Sequence, residues 1–461
     1  MPRLSLQKLP FYSALSFLLL AFTLCTTAPL NGRTDERSFE TETLLDWEEH
    51  DRGRVVLYSL PKSSWPRRIL TGELLPHLSG RPLFTGLDAL SQDNFGLLRG
   101  RSFALLTNST GLDRNLKSGL DLMLQAGVKP ALVFEPEHGL YGHYDQAGPD
   151  GVRYEPVRGL RILSLYAKRK RPAPRHLAGL DLIVVDIQSL PVRCYTYIST
   201  LTYLMEAAER QGIELMVLDR PNPYGFWRAQ GSMLDPRFAS FVGTAPVPFL
   251  FSLTPGEYAY YMASTRFKRL NLSVLRVAGY ERKHTDGVLR QSWINPSPNI
   301  PSVESALVYP GLVFFEGTNF SLGRGTTRPF VYSGAPWLDS KTVVEELRKL
   351  RLPGVQIAEV VFTPTASKYK GETCRGVQIL PVSTDFDPLR TGYEYMRIIR
   401  INHPHQFQII GRGGKFFMDR LWGGLEYRRA ITNYTTWANF RDSWKDQAAD
   451  FEDRVERYRL Y

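Results

Sequence analysis

The sequence predicts an α/β protein: a Rossmann-like, mostly parallel sheet with a second, smaller C-terminal α+β domain. Two patterns carry that prediction. From about residue 82 to 290, short runs that are apolar throughout end in polar residues, as do strands of a parallel sheet covered on both faces. Segments with apolar residues every three or four positions separate them, as amphipathic helices would. From about residue 300 the chain turns to Gly/Thr/Pro-rich stretches and short strands, which sets the smaller domain apart.

Residues 1–28 read as a signal peptide, which makes the protein a secreted one. Arg3 and Lys8 give a basic start, Ala14 to Leu24 is an apolar run, and Thr26, Thr27 and Ala28 supply the small residues at a cleavage point. The run is too short to be a membrane span, which needs about 20 apolar residues. Residues 29–81 form an acidic leader or linker. Asp35, Glu36, Glu40, Glu42, Asp46, Glu48, Glu49 and Asp51 crowd its first half with little apolar periodicity, so a flexible segment or a short docking helix is expected.

Residues 82–295 make the Rossmann-like domain. Phe103 to Thr107 is its first clear strand, followed by a helix over Leu116 to Ala126. Pro130 to Phe134, Leu160 to Tyr166, Leu180 to Asp186 and Glu214 to Leu218 are further strands, and Leu201 to Arg210 is a helix ended by Gly212. Residues 296–461 make the smaller domain, with a helix at Lys341 to Leu350 and a strand at Val377 to Val382.

Composition narrows the function classes. With 43% hydrophobic and 12% aromatic residues in 461, the chain has enough apolar material for packed cores, so disorder and fibre are excluded. The net charge of +11 is spread along the chain. Its one dense run, Lys168 to Arg171, reads as a solvated loop or helix end, so no nucleic-acid partner is expected, whereas an acidic small ligand suits the charge. Once the signal peptide takes Cys25 away, only Cys194 and Cys374 remain, which could form one bridge but no disulfide scaffold. Neither cysteine sits in a CxxC or Cys/His cluster, and His138 and His143 lack a zincin spacing, so no metal is expected. Neither GxGxxG nor GxxxxGK[ST] occurs, which leaves no cofactor, and the GxSxG elbow of serine hydrolases is missing too. The sequence sets no oligomeric state.

In an open parallel sheet, ligands bind beyond the carboxyl ends of the strands. Four polar clusters follow apolar strands here: Thr107-Asn108, Glu135 to Gly139, Asp186 to Gln188, and Asp219 to Asn222. A lone acid in such a place is usually a helix cap or turn former, but four clusters at one edge point to a site. Glu137 and His138 lie between Pro136 and Gly139, in a loop able to project both side chains into a cleft. Asp186 closes a fully apolar strand, where partial desolvation would raise its pKa. Two carboxyls in unequal surroundings suit glycoside cleavage, one as acid towards the leaving oxygen and the other as nucleophile, base or electrostatic stabiliser. Arg193, Arg220 and Arg324 are candidates for gripping a carboxylate on the ligand.

Ten strings in this chain resemble motifs of the DUF1343 family and occur in family order over roughly residues 82 to 461. Among them are Leu106 to Gly111, Pro136 to Gly139, Val185 to Gln188, Arg193 to Thr200, Leu218 to Pro223, Pro296 to Asn299 and Glu316 to Thr326. Characterised members of that family are exo-β-N-acetylmuramidases that release N-acetylmuramic acid from the non-reducing end of peptidoglycan fragments. The resemblance implies a Rossmann-like domain, a smaller C-terminal one and a cleft between them. It implies a carbohydrate ligand with a lactyl carboxylate, Glu137 as catalytic acid, and His138 and Asp186 as supporting groups. Gln188, Arg193, Tyr195, Arg220, Asn222, Asn299, Glu316, Asn319 and Arg324 would line the sugar site. Of the four glycosylation sequons, those at Asn108 and Asn319 fall inside these motifs, which leaves Asn271 and Asn433 as glycan sites.

Two segments depart from the family pattern. Ser189 stands where a carboxylate is usual, with Pro191 in place of a glycine, and Phe251-Ser252 replaces His-Gly. A second reading follows from them: a secreted, non-catalytic binder of muramyl or other acidic sugars.

Overall fold

The computed structural model describes residues 45–51, 53–61, 83–145, 147–166, 168–282 and 292–461. The expected signal peptide and most of the leader lie outside the described residues.

The strands follow the apolar runs. In chain order they are β1 (Asp46–His50), β2 (Val55–Ser59), β3 (Phe103–Thr107), β4 (Leu132–Glu135), β5 (Val152–Glu155), β6 (Leu160–Ser164), β7 (Leu182–Asp186) and β8 (Glu214–Leu218). A small hairpin, β9 (Gln230–Met233) and β10 (Pro248–Leu250), precedes β11 (Leu272–Leu275). Nine of these strands form one sheet in the order β1-β2-β11-β8-β7-β3-β4-β6-β5. The seven inner strands are parallel, while β1 and β5 close the two edges in antiparallel register. The α/β class is therefore the one expected.

Alternation explains why these runs are apolar at every position. Ala104 and Leu106 face the core beneath helices 196–211 and 255–265, whereas Phe103 and Leu105 face the opposite core beneath helices 86–92 and 119–125. The acidic leader is corrected in part: β1 and β2 lie within it, and β2 pairs with β11, so the sheet reaches back to Asp46. An exposed edge strand with Glu48 and Glu49 on it carries charge rather than apolar periodicity, which is why it reads as leader.

The C-terminal part holds an antiparallel sheet of β12 (Tyr332–Ala335), β13 (Val355–Phe362) and β14 (Cys374–Pro381), with β14 in the middle. Helices 303–312, 340–349 and 388–402 surround it, and short helices follow from 417 to 455. Its apolar side chains, among them Phe314, Tyr395 and Trp422, join the same core cluster as Leu106, Val185 and Phe249 of the sheet part. Residues 43–461 accordingly form one compact unit.

Candidate active site

The chain runs from β3 to β4 and β6 on one side, then crosses to β7, β8 and β11 on the other. The strand order reverses between β3 and β7, and a crevice opens at the carboxyl ends there. A cavity of about 820 Å³ occupies it, walled by the loop after β4, the start of helix 196–211, the 297–300 segment and the C-terminal part from Tyr309 to Ser367.

The loop after β4 is held from below. Glu135 is fully buried, its carboxyl takes both amino groups of Arg153 from β5 at 2.5 and 2.6 Å, and it also accepts the Leu140 N–H at 2.8 Å. With that anchor fixed, Pro136 turns the chain and His138 and Gly139 follow in left-handed backbone, φ 72° and 77°. For a non-glycine residue this conformation is costly and occurs where the surrounding structure demands it. His138 Nδ1 lies 2.8 Å from the Tyr144 carbonyl, so Nδ1 carries the proton and Nε2 is the ring atom left for the cavity.

Glu137 is half-buried and faces the cavity. Thr196, in the first turn of helix 196–211, donates its hydroxyl to Glu137 Oε2 at 2.5 Å, and Tyr166 also hydrogen-bonds the carboxyl. Burial, and then the Glu137 charge, push the Tyr166 phenol well above its ordinary pKa, so it stays a donor. Glu137 forms no ion pair among the described residues. The positive end of helix 196–211 also faces this cavity, which favours negative charge there.

On the opposite side, Arg324 Nε donates to Glu316 Oε1 at 2.8 Å. Burial, the largest single influence, works against the guanidinium, but the charge and hydrogen bond of Glu316, with smaller help from Tyr309 and Asp145, together keep the arginine pKa above its usual value. The Nε of the fork is thus tied to Glu316, and Arg324 lines the cavity with no hydrogen bond found for its terminal amino groups among the described residues. Tyr195, Tyr197, Tyr309 and Phe330 supply aromatic walls, and Asn299 donates to Asp145 at 3.4 Å on the rim.

Of the residues singled out in the sequence, Glu137, His138, Tyr195, Asn299, Glu316 and Arg324 line this cavity. Six others do not line it. Asp186 is buried beneath the crevice, bound to Arg220 Nε at 2.7 Å, and neither lines the cavity. Burial raises the Asp186 pKa, as expected of a strand-end carboxyl, with Arg220 acting in the opposite direction. Arg193 is fully buried, does not line the cavity, and gives its amino groups to the carbonyls of Ser232, Val247 and Trp422. Gln188 Nε2 ties the carbonyls of Ser189 and Pro221, and Asn222 Oδ1 caps the turn at Tyr224. Asn319 braces the 406–408 segment through Gln406 and Gln408. These polar groups serve main chain in tight quarters, a need that sequence alone does not separate from ligand binding.

Thr196, Tyr166, Tyr197, Tyr309 and Asp145 are cavity residues that the sequence reading did not single out. Thr196 and Tyr197 do lie inside the Arg193 to Thr200 string. The Lys168 to Arg171 run is less solvated than expected: Lys170 Nζ sits 3.7 Å over the Tyr166 ring, and the Arg171 guanidinium 3.5 Å over Tyr203. Cys194 and Cys374 are both free and buried, so they are not bridged. Cys194 lines the cavity 3.7 Å from the Tyr309 hydroxyl. Asn108 is buried, whereas Asn271 and Asn433 are exposed.

No helix among the described residues is long and apolar enough to cross a membrane. The model of the N-terminal part of the exo-β-N-acetylmuramidase NamZ matches residues 103–304, and that of its C-terminal part matches residues 307–461. The peptidoglycan β-N-acetylmuramidase NamZ of Bacillus subtilis (strain 168) is 38% identical over 379 residues, covering 82% of this chain and 91% of that protein. A DUF1343 family protein of Bacteroides fragilis NCTC 9343 has a similar crystal structure, with TM-score 0.74 and 30% identity, over 82% of this chain and 99% of that one. A second from the same organism gives TM-score 0.65 and 26% identity over the same shares.

Proposed function

The chain belongs to the NamZ family of DUF1343 proteins, and from that premise we propose that it is a secreted exo-acting muramidase that releases N-acetylmuramic acid from the non-reducing end of peptidoglycan fragments, with Glu137 as general acid. A glycosidase-like enzyme needs a carboxyl that can gain and lose a proton beside the scissile bond. Three acids line the cavity. Glu316 is paired with Arg324, and Asp145 is exposed at the rim beside Asn299. Glu137 has hydroxyl neighbours and no ion pair among the described residues, and that single observation carries the assignment. The Thr196 hydroxyl can donate to the carboxylate or accept from the acid, so it serves both protonation states.

The terminal amino groups of Arg324 would take the lactyl carboxylate of the sugar, and the aromatic walls its apolar faces. His138 Nε2 is placed to hydrogen-bond a sugar hydroxyl. Ser189 and Phe251, the departures that motivate the reading of a binder without turnover, are buried, and neither lines the cavity.

Incubating the mature protein with a muramic-acid-terminated disaccharide, beside Glu137→Gln, and following free monosaccharide by mass spectrometry tests the proposal. Release by the parent alone is the expected result. Saturable binding without release by either protein would reject the enzyme in favour of the binder. Secretion is checked separately by the N-terminus of the protein recovered from culture medium, expected after Ala28.

A further inference from the structure

A second pocket, of about 420 Å³, lies between β9 and the helices that begin at Pro388, Trp437 and Lys445, and shares no lining residue with the cavity around Glu137. Arg228, Arg390 and Arg441 contribute to its walls, and none of the three forms an ion pair among the described residues. The acids beside them are already engaged. Asp387 caps helix 388–402 by accepting the Arg390 N–H at 2.9 Å, and Glu452 accepts the Ala229 N–H and the Arg459 guanidinium. Two indoles complete the pocket, Trp437 and Trp444, with ring centroids 6.1 Å apart.

The polar groups of these walls are incompletely satisfied. Arg390 Nε, Trp444 Nε1 and Gln230 Oε1 are buried without a hydrogen-bond partner among the described residues, and all three side chains line this one pocket. Orphaned buried polar atoms are costly, and these three lie just behind the pocket wall, while the exposed forks of Arg228 and Arg441 and the indole of Trp437 form the surface that a ligand would meet. Indole faces stack on the apolar faces of a sugar ring, guanidinium forks match a carboxylate or phosphate, and an amide oxygen accepts from a hydroxyl.

We propose that this pocket is a second saccharide-binding site, for a sugar that carries a carboxylate or phosphate. It would hold a polymeric substrate to the protein while the cleft at Glu137 works on a chain end. The ligand class follows from the pocket, while the choice of peptidoglycan as the polymer rests on the muramidase reading; turnover of the disaccharide reports on that reading separately from sacculus binding.

Co-sedimentation of the full mature protein with insoluble peptidoglycan sacculi tests it, beside the double variant Arg228→Gln/Arg441→Gln, with turnover of the soluble disaccharide assayed in parallel. Both arginines are exposed, so the variant should fold as the parent does, which circular dichroism checks. The expected result is sacculus binding weaker by about tenfold, the loss of roughly one charge-assisted contact, with disaccharide turnover unchanged. Sacculi stripped of phosphate polymers by hydrofluoric acid separate the sources: retained binding assigns the carboxylates of the glycan, and lost binding assigns phosphate. Equal sacculus binding by parent and variant, or equal parent binding to neutral chitin, would overturn the proposal.

Discussion

The Thr196 hydroxyl reaches Glu137 Oε2 across 2.5 Å and so joins the first turn of a long helix to the loop after β4. Replacing Thr196 by Val keeps the shape and removes the donor. With a hydrogen bond of about 1.5 kcal/mol at stake, kcat for disaccharide cleavage should fall about tenfold with KM nearly unchanged, while Thr196→Ser should keep most of the rate. A fall in both variants alike would mean that the methyl contact matters and the hydroxyl does not.

Two arginines of similar appearance in the sequence should respond in opposite ways. Arg193→Met strands three buried carbonyls, and the urea midpoint should drop by the equivalent of about 3 kcal/mol or more. Arg324→Gln should leave the midpoint almost where it was and raise KM at least about tenfold, because Arg324 lines the cavity and its terminal amino groups hold no main chain among the described residues. Paired denaturation and kinetic measurements on the two variants decide this.

Asp219 follows β8 and is fully buried, and desolvation pushes its pKa from 3.8 to about 7 against the donors Gly256 N–H, the Thr254 hydroxyl and the Tyr461 hydroxyl. The native state then holds this proton more tightly than the unfolded chain does. Its stabilisation is fully present below about pH 4 and is lost as pH rises through about 7. Asp88, Asp186 and Asp387 shift in the same direction, each chiefly by burial. His176 and His403, with pKa values lowered first by burial, act oppositely as they titrate. The difference between parent and Asp219→Asn isolates Asp219: unfolding free energy measured from pH 4.5 to 7.5 should decline less steeply in the variant. Parallel curves would refute the assignment.

Burial pushes the Cys194 thiol up to about 12 and the Cys374 thiol up to about 11. Neither presents appreciable thiolate at pH 8. Peptide mapping after iodoacetamide should find both unmodified in the native protein and both alkylated after denaturation in urea. Native labelling of Cys194 would mean that reagent enters the cavity and finds a reactive sulfur there.

What the sequence disclosed follows burial. β3, β7 and β8 are covered on both faces, so every position but one terminal residue in each is apolar and their limits are visible to within about two residues. β1 is an exposed edge, and its Asp46, Glu48 and Glu49 look like any acidic linker. Within the site, Glu137, His138 and Arg324 sit in loops whose only demand is the cavity they face. Asp186 and Arg220 carry the same residue types at the same kind of strand end, yet they neutralise one another under the crevice. Only the packing of β7 against β8 reveals that they meet. Thr196 escaped notice for the opposite reason, since a threonine near a helix start looks like an ordinary cap.

Because Phe314, Tyr395 and Trp422 pack into the interior that also holds Leu106, Val185 and Phe249, the two sides of the cleft cannot swing apart without tearing that interior open. The crevice is therefore a mould set at folding rather than a jaw that closes. A sugar entering it meets walls whose freedom was given up in advance, so little ordering cost is left to binding. Discrimination among sugars then rests on fit to a fixed outline, and a ligand one substituent too large is refused instead of accommodated.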